Sequence, residues 1–200
     1  MTRVKVCGIT RNADRNAAIE AGADALGFLV DVPVDTDREL TPEAAAALID
    51  DGPPFVTSVL VTMPAGPDRA LELLERTGAE AIQLHNDLPV DAVAAVSEAT
   101  SASVIKAIDA EPAAAERYAP VVDALLVDSR TESGAGGTGR RSDWDRAAAV
   151  RNAVDCPVVL AGGLDPGNVA DGVAAVEPFA VDVSSGVERT EGRKDPEAVR

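Results

Sequence analysis

The chain has 200 residues, 46% of them hydrophobic and only 2% aromatic, with a formal net charge of −16. Its length and apolar content suit one folded domain whose core is built from Val, Ala, Leu and Ile, and they exclude a disordered chain. The acid excess repels nucleic acid and anionic membranes, so neither is expected as a partner.

Strand-like and helix-like segments alternate along the chain. Residues 4–7 read as a strand, and 11–21 as a helix with Thr10 as the candidate N-cap and Gly22 as its stop. Residues 25–30 form the second strand. Thr41-Pro42-Glu43 opens the next helix, with Thr at the N-cap, Pro in the first turn and an acid soon after. The β-branched run 55–61 is the third strand. A helix over 67–76 carries Leu71, Leu73 and Leu74 on one stripe and closes at Gly78. Strand four, 81–84, ends at His85, and a helix over 90–99 follows. Residues 103–108 are strand five, 112–118 a short helix and 125–127 strand six. The longest irregular stretch, 129–142, contains Gly134, Gly136, Gly137 and Gly139, and such a loop is usually functional. A helix over 143–153, a strand over 157–160, a helix over 168–176 and an eighth strand over 179–183 complete the pattern. The last helix starts at Asp195 and has little room before Arg200.

Eight strand–helix repeats predict a (β/α)8 TIM barrel as one compact domain over residues 1–200, near the lower size limit of that fold. Cys7 and Cys156 are the only cysteines, and no spacing resembles a disulfide framework or a metal site. Arg3 and Lys5 precede no continuous apolar run, and no stretch reaches the roughly 20 apolar residues of a membrane span. A cytoplasmic protein is expected. Lysine occurs only at 5, 106 and 194, with arginine in its place, and the acids are spread throughout. Such a surface fits a salt-rich cytoplasm, where molar salt cuts the screening length to about 3 Å, or else an ordinary acidic protein.

In a parallel barrel all strand tips meet at one face, where the chemistry is done. Cys7 ends strand one and Asp128 ends strand six. Each is open to two readings. Cys7 is a buried small hydrophobe, or a thiolate base whose pKa a nearby cation or dipole lowers. Asp128 caps the long loop, or is a general acid whose pKa burial raises. His85, after Gln83-Leu84, is a substrate contact or a hydrogen-bonded structural histidine. Arg38 partners the nearby Asp31, Asp35, Asp37 and Glu39, or receives a substrate carboxylate bidentately. Gly162-Gly163 after strand seven and Ser184-Ser185-Gly186 after strand eight occupy the two slots where this fold commonly binds phosphate, with backbone N–H groups turned to the oxygens.

Val4-Lys5-Val6-Cys7-Gly8-Ile9-Thr10, Ile82-Gln83-Leu84-His85, Leu126-Val127-Asp128-Ser129, Gly136-Gly137-Thr138-Gly139 with Asp143-Trp144, Ala161-Gly162-Gly163-Leu164 with Pro166 and Asn168, and Val181-Asp182-Val183-Ser184-Ser185-Gly186-Val187-Glu188 with Lys194-Asp195 appear in that order. As an ordered set they closely resemble the phosphoribosylanthranilate isomerases of tryptophan biosynthesis. The resemblance implies an Amadori rearrangement of N-(5-phosphoribosyl)anthranilate to 1-(2-carboxyphenylamino)-1-deoxyribulose 5-phosphate, with no cofactor. It implies Asp128 as the acid that protonates the furanose oxygen and Cys7 as the base that removes the C2 proton. Arg38 would hold the anthranilate carboxylate, and Gly162, Gly163, Ser184, Ser185 and Gly186 the phosphate. Asp182 would face the middle of the substrate, with Gln83 and His85 lining the floor. The only expected partner is the small phosphorylated substrate, with the chain a monomer or a homodimer.

Two features depart from the family pattern. Thr36-Asp37-Arg38 stands where the family usually has Ser-Pro-Arg, and the short last helix predicts a thinly covered seam beside strands eight and one. The rival readings are an aminoaldose isomerase of histidine biosynthesis, or one serving both pathways, and a non-catalytic phosphate-binding barrel. Cys7 at the first strand tip favours the tryptophan enzyme over the first, and intact Cys7 and Asp128 argue against the second.

Overall fold

A computed structural model describes residues 1–128 and 141–200, without the side chains of 141–143. The reading of a long glycine-rich loop over 129–142 lies largely outside the described residues.

Eight parallel strands close into a barrel in chain order: β1 (Arg3–Cys7), β2 (Ala25–Leu29), β3 (Thr57–Thr62), β4 (Ala81–Leu84), β5 (Ser103–Asp109), β6 (Ala124–Asp128), β7 (Val158–Ala161) and β8 (Ala180–Val183). β8 returns to pair with β1, with Lys5 opposite Asp182. The helices are α1 (Asn12–Glu20), α2 (Pro42–Asp50), α3 (Pro67–Thr77), α4 (Val90–Ala99), α5 (Pro112–Tyr118), α6 (Arg141–Ala153), α7 (Val169–Val176) and α8 (Pro196–Val199). The fold is the expected (β/α)8 barrel. No described helix is long and apolar enough to cross a membrane.

Successive strand residues alternate between two cores. Val6, Leu26, Phe28, Leu60, Ile82, Leu84, Leu125, Val127, Leu160 and Val181 point outward. They pack against Ala18, Ala45, Leu73, Val93, Val96, Ala115, Ala147 and Val150 of the helices. Inside the barrel the apolar side chains are mostly small: Ala107, Val159, Ala161 and Ala180 cluster with Leu126, and Cys7, Val59, Val61 and Ala81 form another group. This division explains how a chain with few aromatics fills its interior. The space between strands and helices takes leucine, and the narrow bore takes alanine and valine.

Local signals set several boundaries. The Thr41 hydroxyl accepts from the Ala44 amide and Pro42 begins α2, as predicted. Asp195 caps α8 by accepting from the Glu197 amide. Thr10 does not cap α1. Arg11 takes the cap position, and the Thr10 hydroxyl instead donates to the Gly192 carbonyl at 2.7 Å. The third strand starts at Thr57, two residues later than expected, because Phe55 turns away with a positive φ of 72° and its ring in solvent.

Two elements after β8 carry no sequence signal. A 3-10 turn (Ser185–Val187) leads into a hairpin of β9 (Glu188–Thr190) and β10 (Arg193–Lys194). The hairpin lies over the loops that follow β1 and β2. Its tip touches the loop after β2, where a Cβ on Gly192 would stand 2.7 Å from the Asp37 carbonyl oxygen. The last helix is as short as expected, four residues with none buried. Ala198 and Val199 of α8 pack on the main core, and α8 lies against α1.

Candidate active site

Cys7 and Asp128 are the last residues of β1 and β6. Cys7 belongs to an interior cluster, and Asp128 has the same strand parity as the interior Leu126 and pairs in register with the interior Ala161. Barrel closure therefore turns a thiol and a carboxyl group inward at the C-terminal mouth, from strands about 120 residues apart in sequence.

The thiol sits among charges. Lys5, two residues back on the same face of β1, is 4% exposed, and its Nζ lies 3.0 Å from Asp182 Oδ2. Burial pushes the Cys7 thiol up. Lys5 pulls it down, Asp182 pushes it up and Lys194 pulls it down, and the net direction is up. Burial also draws the Lys5 ammonium down, but Asp182 and then Cys7 outweigh it, so Lys5 stays charged. The expectation that a cation lowers the thiol is met in sign by Lys5 and Lys194, but burial is the larger effect. Asp182 Oδ1 is buried without a hydrogen-bond partner.

Gln83 and His85 lie on one face of the β4 tip, with Gln83 Nε2 2.9 Å from His85 Nδ1. Gln83 Oε1 is buried and unpartnered. The orphaned oxygens of Gln83 and Asp182 are acceptors that a hydroxyl-bearing ligand can satisfy.

Arg38 does not pair with the acids next to it in sequence. Its Nε and Nη2 fork onto Glu188 of β9 at 3.0 and 2.6 Å, and Nη1 donates to Glu191 at 2.9 Å. Glu188 also accepts from Lys194, 2% exposed, at 2.8 Å. Burial pushes Glu188 up, but the bonds from Arg38 and Lys194 outweigh it and hold its carboxyl below the usual range. Asp31, one of the expected partners, is taken by Arg69 at 2.9 Å. Arg38 nonetheless reaches the mouth: a Cβ on Gly8 would lie 3.0 Å from Arg38 Cδ, 3.2 Å from Ser184 Oγ and 3.3 Å from Lys194 Nζ.

The loops after β7 and β8 pack backbone to backbone. Gly162 and Gly163 hold positive φ values of 95° and 62°, which favour glycine. The Asn168 side chain ties this turn by donating to the Gly163 carbonyl and accepting from the Asp165 amide, both at 2.9 Å. Gly186 comes so near the other loop that a Cβ there would stand 2.0 Å from the Leu164 carbonyl oxygen. Ser184 completes the wall, its carbonyl accepting from Lys194 Nζ at 3.2 Å. The structure thus brings Cys7, Arg38, Asp182, Ser184 and the two glycine turns to the β7–β8–β1 side of the mouth. Asp128 stands on β6 and the Gln83–His85 pair on β4. Sequence reasoning missed Lys5, Glu188 and Lys194. All three stand within the motifs quoted for the family resemblance, and Lys5 also stands out as a charged residue two positions before Cys7.

Strand-tip side chains gathered at the C-terminal mouth, beside a close-packed pair of glycine turns, mark the chain as an enzyme of the (β/α)8-barrel class. The comparisons narrow this class. Residues 4–200 match the family profile described as N-(5'phosphoribosyl)anthranilate (PRA) isomerase. An N-(5'-phosphoribosyl)anthranilate isomerase of Halobacterium salinarum is 57% identical over 202 residues, covering 100% of this chain and 93% of the relative. The phosphoribosyl anthranilate isomerase of Thermotoga maritima superposes with a TM-score of 0.87 at 35% identity, covering 100% of this chain and 95% of that one. An isomerase in complex with reduced 1-(o-carboxyphenylamino)-1-deoxyribulose 5-phosphate superposes with a TM-score of 0.82 at 34% identity, with the same coverage. The chain belongs to the phosphoribosylanthranilate isomerase family, and its activity is the isomerase step of tryptophan biosynthesis.

Proposed function

We propose that Cys7 and Asp128 are the base and the acid of this rearrangement and that the two glycine turns seat the phosphate. What supports the reading is that Cys7 ends β1 and Asp128 ends β6 at inward-facing strand positions, on the same rim as loops packed too closely for any side chain at Gly186.

Asp128 gives its proton to the furanose ring oxygen as the C1–O bond breaks, which leaves an imine between C1 and the anthranilate nitrogen. The cationic imine acidifies the C2–H. The Cys7 thiolate takes that proton, and the electron pair passes into the imine to give an enolamine, which tautomerises to the ketone. Acid–base help of this kind is worth about 10²–10⁴-fold, and holding the substrate by its phosphate supplies much of the rest. Gly162, Gly163, Ser184, Ser185 and Gly186 present backbone N–H groups to the phosphate. Arg38 receives the anthranilate carboxylate with the N–H capacity that Glu188 and Glu191 leave it. The unpartnered oxygens of Asp182 and Gln83 accept from ribose hydroxyls, with His85 beside them. The chain carries out this step in the cytoplasm.

Cys7→Ala and Asp128→Asn are each expected to lower kcat by at least about 10²-fold with the fold intact. A fluorescence assay with phosphoribosylanthranilate, paired with circular dichroism, reads both. Near-normal turnover in either variant defeats the assigned role. Running the same assay with the aminoaldose of histidine biosynthesis tests whether a second substrate is accepted.

A further inference from the structure

We propose that Lys5 is a positioning residue for the Cys7 thiolate: its ammonium, anchored on Asp182, is the fixed counter-charge at the base. The inference rests on the reading of Cys7 as the base.

Lys5 and Cys7 share one face of β1 and meet at one point in space. Gly27 of β2 lies opposite Cys7 in register, and a Cβ there would stand 2.7 Å from Cys7 Sγ and 3.1 Å from Lys5 Nζ. The missing side chain at Gly27 leaves the gap into which the thiol and the ammonium both reach. Lys5 is an expensive choice for such a position. The neighbouring interior residues are Ala25, Val59 and Ala81, and an ammonium buried among them costs several kcal/mol unless paired. Packing alone calls for another small apolar residue. Asp182 supplies the pairing with only one of its oxygens.

The pair suits both halves of the reaction. When Cys7 is a thiolate, Lys5 faces an anion on each side. When Sγ–H has formed, with the C2–H electron pair moved into the imine, Lys5 keeps its own proton and is still balanced by Asp182. Without Lys5, a thiolate here would face the Asp182 carboxylate directly and its formation would be opposed. Among the described residues, the charged groups acting on the thiol are Lys5 of β1, Asp182 of β8, Lys194 of β10 and Arg38 of the loop after β2. Lys194 and Arg38 are both engaged by Glu188, which leaves Lys5 as the cation dedicated to Cys7 and Asp182.

The test is the pH dependence of Cys7 alkylation by iodoacetamide and of the ultraviolet thiolate absorbance, read on the free protein in a Cys156→Ala background. Lys5→Met is expected to move the thiolate midpoint up by about one pH unit or more, so that alkylation near neutrality falls about tenfold. Its kcat should fall by a similar factor while KM stays within about threefold. Lys5→Arg should restore most of both. Asp182→Asn should move the midpoint down, the opposite sign. Because Lys5→Met leaves a buried carboxylate unpaired and can fail to fold, the neutral pair Lys5→Met with Asp182→Asn is measured too, and its midpoint should lie above that of Asp182→Asn alone. An unmoved midpoint in Lys5→Met, or in the neutral pair relative to Asp182→Asn, with or without loss of activity, overturns the proposal and leaves Lys5 a structural residue. Full turnover in Cys7→Ala would sink the base assignment instead, and the alkylation result tells the two failures apart.

Discussion

Gly186→Ala is the substitution whose cost the structure states most directly. The added Cβ would stand 2.0 Å from the Leu164 carbonyl oxygen, 2.9 Å from its carbon and 3.0 Å from Asp165 Cβ. A carbon–oxygen contact relaxes at about 3.3 Å, so the two loops must part by roughly 1 Å or more. The obstacle is backbone, and no side chain can rotate out of the way. Overpacking of this kind costs about 1–3 kcal/mol, and for a chain of this size each kcal/mol lowers Tm by about 2–4 °C. The effect on activity should be larger than on stability. Both loops carry the proposed phosphate donors, and a displacement near 1 Å can cost about 10²-fold, equivalent to about 2.7 kcal/mol of transition-state binding. The assay is steady-state kcat/KM with phosphoribosylanthranilate, together with inhibition by inorganic phosphate, in Gly186→Ala. Gly66→Ala is the control, since a Cβ at Gly66 meets nothing within 4 Å and its backbone is extended. A Gly186→Ala enzyme with wild-type KM, wild-type phosphate inhibition and unchanged Tm would refute the assignment of these loops.

Arg38→Ala should raise KM by about tenfold or more with a smaller change in kcat, and an unchanged KM removes Arg38 from the site. Glu188→Gln tests acid stability. Because the folded state holds the Glu188 carboxyl below its ordinary range, its contribution is present above that range and is lost as pH falls through the depressed value. The variant should therefore lose stability at neutral pH and show a flatter decline in acid, and a thermal melt series from neutral to acid pH reads both. With a net charge of −16, the chain should unfold at lower temperature in dilute buffer than in molar salt. Equal Tm values in the two media count against the salt-adapted reading of its surface.

The barrel was legible because its period is regular. Each of the eight strands lies within two residues of its expected bounds, since apolar, largely β-branched runs alternate with helical stretches and most connections are short. Capping logic held at Thr41, whose hydroxyl had only its own helix to serve, and failed at Thr10, whose hydroxyl found Gly192 instead. A distant acceptor leaves no trace in local sequence. The same limit hid the hairpin. Glu188-Arg189-Thr190-Glu191-Gly192-Arg193-Lys194 has no apolar alternation, and it is held by ion pairs to Arg38, some 150 positions away. Strand-tip placement sufficed to nominate Cys7 and Asp128, and loop position to nominate the glycine turns. The environment of the thiol was not readable, because Lys5, Asp182 and Gly27 lie on three strands that only the closed ring sets side by side.

That closure has a consequence for synthesis. β1 leaves the ribosome ahead of the other barrel strands and finds its second neighbour, β8, only after the six strands between them have been made. Until then Lys5 lacks its counter-ion and Cys7 lacks the wall formed by Ser184. A nascent chain therefore carries a thiol without a pocket, and catalytic competence arrives in a single late event when the two outermost strands of the growing sheet meet.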